Sequence, residues 1–112
     1  MRWLVVSGGL LGALGVIGAT LYAHARPIPA LGQAAYMALF HAPVLLWLSR
    51  ETPSLLLTWL SAAFLGGNLI FVGTIYLRYL GGVESATKIA PVGGSLVIIA
   101  WLGLVGWGLW GK

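Results

Sequence analysis

The chain has no cysteine and only two acidic residues, Glu51 and Glu84. Without cysteine there is no disulfide, thiolate metal site, iron–sulfur cluster or Cys nucleophile, although the lack says nothing about compartment. Both acids fall in candidate loops, so no carboxylate pair is available for acid–base work. No nucleophile stands beside a base and no phosphate loop is present. Hydrolytic and transfer chemistry therefore lack machinery, and the expectation is a protein that is not an enzyme. Charge of either sign is scarce. Charged residues make up 7% of the 112-residue chain, against about 25% in ordinary soluble domains. The six Lys and Arg are scattered rather than run together, which argues against a nucleic-acid partner.

Apolar residues are abundant. They reach 60% of the chain, with a mean hydropathy of +0.99. A soluble domain this small could not bury so much apolar surface, because its surface-to-volume ratio is too high. Lipid is the solvent that fits. A membrane span needs about 20 apolar residues in a helix, and four stretches supply them, at about 3–23, 30–48, 54–77 and 92–110. The links "HARPIPALGQ", "SRETPS" and "RYLGGVESATKIAP" hold nearly all the charges. Short links between long helices make antiparallel neighbours. The expected fold is an all-α integral membrane protein, a single membrane domain over 1–112 with four transmembrane helices in an up-down antiparallel bundle. The first stretch, with Arg2 before it and "AHA" after it, imitates a secretory signal. At about 20 residues it is long for a signal core, and it is expected to persist as a helix.

Charge gives almost no orientation. Arg2, Arg50 and Lys112 fall on one side; Arg26, Arg78 and Lys88 fall on the other. The aromatics separate better: Trp3, Trp47, Trp107 and Trp110 gather on the side of both termini, and Tyr22, Tyr36, Tyr76 and Tyr79 opposite. Such belts mark the two interfaces. The location expected is the bacterial inner membrane, with both termini in the cytoplasm.

Between helices in lipid, close backbone packing replaces the hydrophobic drive. Gly8, Gly12, Gly15 and Ala19 recur along one face of the first helix; Gly66 and Gly67 follow Ala62 and Ala63 by four residues in the third. These small faces suit packing inside the bundle or docking on a partner. Among the polar residues within the spans, His41, Ser61 and Asn68 are the candidates. His41 lies about 12 Å below the Trp-side surface at 1.5 Å per residue, and Ser61 at a similar depth. Pro43 deprives the Leu39 carbonyl of its helical donor, and His41 or Ser61 is expected to donate to it. Asn68 is expected to bond another helix. An ionisable group inside a membrane is also a candidate for proton or quinone contact. His24 and His41 differ in depth by about 10 Å, too far to share a haem or metal, and no cofactor is expected. At the Tyr side, His24, Arg26, Tyr76, Arg78 and Tyr79 form a candidate cluster for a phospholipid or quinone headgroup.

These stretches together resemble the YgdD-like family of small four-helix inner-membrane proteins, a domain of unknown function with mitochondrial relatives. The resemblance spans almost the whole chain. It rests on a glycine-rich first helix ending in "YAHA", on "HAPVLL", on "GGNLIFVGTIY" and, most specifically, on "IAPVGGSLVIIAWLGL". On that match His24, His41, Phe71, Tyr76, Pro91, Gly93, Gly94 and Trp101 occupy signature positions. Three residues depart from the pattern: Tyr22 replaces a glycine, Pro43 interrupts the aliphatic run after His41, and Ala100 replaces the glycine before Trp101. The resemblance implies a four-helix fold and no established activity. The function expected is a non-catalytic accessory subunit or assembly factor packed against a larger membrane complex, respiratory or otherwise redox. The alternatives are a small transporter or proton-conducting oligomer, and a lipid- or quinone-binding protein. The bilayer and that larger complex are the expected partners, with a homo-oligomer left open.

Overall fold

A computed structural model describes residues 1–111; Lys112, counted above with the Trp-side charges, lies outside the described residues. Four α-helices follow in order: α1 Arg2–His24, α2 Pro29–Leu48, α3 Leu55–Tyr79 and α4 Ala90–Trp110. Each has 20 to 25 residues, which is long and apolar enough to cross a membrane. A 3-10 segment, Glu84–Ile89, leads directly into α4.

Local signals account for the helix boundaries. Pro29 opens α2, where its missing N–H removes no helical bond. Ser54 caps α3 by accepting from the Leu57 amide at 3.1 Å. After α3 the chain reverses at Gly82, whose φ of +76° suits glycine. Pro43 lies within α2 without ending it. Its ring lies on the exposed side of the helix.

The helices associate as two tight pairs, α1 with α2 and α3 with α4, which meet along α2 and α3. Backbone proximity is closest where glycines cross. A Cβ built on Gly67 would stand 2.8 Å from the Gly93 carbonyl oxygen, and one on Gly93 2.6 Å from the Gly67 oxygen. Backbone cannot yield there, so α3 and α4 require both hydrogens. On α1, Gly15 admits Leu39 of α2, whose Cγ would lie 2.6 Å from an added Cβ.

The small-residue faces differ in detail from the sequence reading. The buried seam of α1 is Leu4, Gly8, Leu11, Gly15 and Gly18. Gly12 and Ala19 sit at its edge, half-buried, and a Cβ at Gly12 would make only ordinary contact with Ala42. On α3, Gly67 packs but Gly66 faces open space. The reason is rotational. Glycines at mixed three- and four-residue spacings define several overlapping stripes, and the bulk of Leu4 and Leu11 selects among them. Tyr22, where the family pattern has glycine, is accommodated by Gly32 opposite, whose Cα hydrogens meet the tyrosine ring.

Candidate functional site

The polar interior centres on His41, which is 3% exposed. Trp101 of α4 donates its indole N–H to His41 Nε2 at 3.0 Å. Because indole nitrogen can only donate, Nε2 must be an unprotonated acceptor. The remaining proton lies on Nδ1, which donates to the Met37 carbonyl oxygen at 2.9 Å. The geometry therefore selects one neutral tautomer with both nitrogens occupied. Phe64 packs edge-on to Trp101 at 5.1 Å between centroids, and lies 6.1 Å from the His41 ring. Phe40 adds a fourth ring at 5.4 Å.

This arrangement corrects the expected role of Pro43. Neither His41 nor Ser61 donates to the Leu39 carbonyl. His41 instead bonds the carbonyl four residues back on its own helix and an indole from α4, and the Ser61 hydroxyl is buried with no protein partner. The proline ring faces outward, whereas His41 faces the interior. The sequence marks Trp101 only by its family position and by its place at mid-span rather than in an interfacial belt. Asn68 also differs from expectation. Its Nδ2 donates to the Phe64 carbonyl of its own helix at 2.8 Å, and Oδ1 is buried without a partner. No interhelical bond forms there among the described residues.

The Tyr-side cluster is brought together only in part. Tyr76 leaves it: its hydroxyl donates to the Leu14 carbonyl of α1 at 2.7 Å, with the phenol lying on Gly18. The ring points towards the bundle middle rather than the headgroups. Arg26 and Arg78 do converge, both on Tyr79. Arg26 Nη1 donates to the Tyr79 carbonyl at 3.0 Å, and the Arg78 guanidinium lies over the Tyr79 ring at 5.1 Å. Arg78 also donates to Thr87 Oγ1 at 2.9 Å. His24 is exposed at the end of α1. Gly18 lies opposite Ala35, so His24 and His41 are separated by about 18 Å along the bundle axis at 1.5 Å per residue. The structure does not unite them.

At the other end, Trp47 meets Trp107 edge-on at 6.2 Å. Trp59, near the start of α3 and 68% exposed, joins that belt. Pro91 takes the second position of α4, and Gly93 makes the backbone crossing described above. Gly94 only touches Phe71, at 3.9 Å from a built Cβ. Ala100, in place of the family glycine, is fully buried beside Trp101.

The fold and this interior define a class: an all-α bundle of four membrane-length apolar helices, clamped at mid-depth by one neutral histidine. Residues 11–94 match the family described as a protein of unknown function, DUF423. The chain belongs to that family. No solved structure matches it.

Proposed function

We propose that the protein is a non-catalytic accessory subunit or assembly factor of a larger membrane complex, set in a bacterial inner membrane with both termini cytoplasmic. The observation that carries this reading is that His41, the buried ionisable side chain of the spans, is fully bonded within the chain. Both nitrogens of His41 are bonded within the chain, and the Tyr76 hydroxyl is bonded to α1. A proton carrier needs a site open to exchange. A clamp needs what is seen here, and such interhelical bonds orient helices more than they hold them.

Apart from the unbonded Ser61 Oγ, Asn68 Oδ1 and Trp107 Nε1, the interior is committed to its own packing, and the remaining chemistry lies on the outer faces. Gly106 on α4 meets no neighbour, and Leu102 and Leu109, one turn to either side of it, are exposed. Such a face lets another helix approach closely in lipid. The test is purification of the tagged protein from its native membranes in mild detergent, with mass spectrometry of what accompanies it. A larger membrane protein in fixed stoichiometry supports the proposal. Repeated isolation of this chain alone, as monomer or homo-oligomer, overturns it and returns belief to transport.

A further inference from the structure

Two guanidinium groups gather on one residue at the Tyr-side interface, and neither bonds a carboxylate among the described residues. Arg26 is held by the Tyr79 carbonyl, and Arg78 by the Thr87 hydroxyl and the Tyr79 ring. Their partners are neutral, so their charges remain uncompensated beside an apolar bundle. Each keeps further N–H donors in the planar fork that matches phosphate oxygens. Two cations that share Tyr79 and lack an acidic partner suit an anion from outside the chain.

A groove runs below them. It is lined by Gln33, Tyr36, Met37, Phe40 and Phe71, with a volume of about 470 Å³. Phe71 and Arg78 are seven residues apart on α3, two turns along one face, so Arg78 stands above the groove's upper end. Along α2 the groove descends from Gln33 to Phe40, roughly 6 to 16 Å below the start of that helix at 1.5 Å per residue. Half of a hydrocarbon core is about 15 Å, so the groove ends near the bilayer midplane. There Phe40 ends the lining, its ring 6.5 Å from that of Trp101. Polar groups at the rim, an apolar channel below and an end at mid-depth match one leaflet's lipid. The second groove, between α1 and α3, is lined by Leu10, Leu11, Leu14, Leu65 and Leu69 with only Ser7 as a polar group.

We infer that this is a binding site for one anionic phospholipid, its phosphate held by Arg78 and Arg26 and one acyl chain lying in the groove between Gln33 and Phe71. Basic pockets between transmembrane helices are suited to such headgroups, and bidentate Arg–phosphate pairing gives the geometry its specificity. The site goes beyond the accessory role and can fail or stand without it, because its test uses the purified chain alone.

The test reconstitutes the full chain in bilayers of equal phosphatidylglycerol and phosphatidylcholine, then reads lipid retained on the protein by native mass spectrometry. The expected result is one retained lipid per chain, with phosphatidylglycerol enriched at least fivefold. Arg78→Gln and Arg26→Gln each lower that enrichment several-fold, whereas Arg78→Lys, which keeps the charge but loses the planar fork, lowers it by less. Met37→Trp, which fills the groove, lowers total retention. Arg2→Gln, at the opposite end, changes nothing. Equal retention of the two lipids by the wild-type chain overturns the inference. So does enrichment that survives the double Arg26→Gln, Arg78→Gln variant, or a quinone recovered in the phospholipid's place.

Discussion

Trp101 Nε1 donates to His41 Nε2 across 3.0 Å, joining α4 to α2 through residues 60 apart in the chain. Neither helix could have supplied the bond alone. Trp101→Phe keeps the ring but removes the donor, leaving Nε2 unpaired. The expected loss is about 0.6 to 1.7 kcal/mol, the range of interhelical bonds in membrane proteins. Reversible unfolding in mixed micelles measures it, and a double-mutant cycle with His41→Phe should recover a coupling of similar size. A cycle giving no coupling would mean the pair only fills space.

The Gly67–Gly93 crossing makes a sharper prediction. Gly67→Ala and Gly93→Ala each force a methyl against backbone oxygen, and overpacking of this kind costs about 1 to 3 kcal/mol. Gly66→Ala, one residue away, meets open space and should be neutral or slightly stabilising. Comparison of the unfolding midpoints decides it; equal effects at Gly66 and Gly67 would place the helix interface elsewhere.

Tyr76 and Gly18 should behave as a coupled pair. Gly18→Ala places a methyl where the phenol oxygen lies and should destabilise by about 1 to 3 kcal/mol. Tyr76→Phe removes the bond to Leu14 and should cost about 0.6 to 1.7 kcal/mol. In the double variant the oxygen that clashes is gone, so the combined loss should fall below the sum of the two. Strict additivity in unfolding measurements would separate the two residues.

Asn68 is predicted to contribute little to stability. Its Oδ1 is buried and unbonded, and the Phe64 carbonyl that its Nδ2 bonds keeps the helical N–H of residue 68, so an apolar side chain of similar shape strands no partner. Asn68→Leu should therefore unfold no earlier than wild type. A loss above about 2 kcal/mol, the scale of an abandoned buried partner, would reveal a bond that the side chain makes in the membrane.

The four spans and their antiparallel order were legible because membrane insertion depends on composition averaged over about 20 residues. That is a local property, and prolines, glycines and charges marked the links between spans. The placement of Arg26 and Arg78 at one interface follows from the same count. Which face of each helix turns inward was not legible. In a soluble bundle the apolar stripe announces the buried side; here the helices are apolar nearly all round, so periodicity carries little information about rotation. Gly8, Gly15 and Gly18 lie against neighbouring helices and Gly66 faces open space, a distinction the sequence does not carry because only the neighbouring helix decides which glycine is needed. The pairing of His41 with Trp101 and of Tyr76 with Leu14 likewise belongs to the tertiary structure. Each joins residues 60 or more positions apart, and rotation of the helices about their axes, set by close backbone contact, brings the partners within reach.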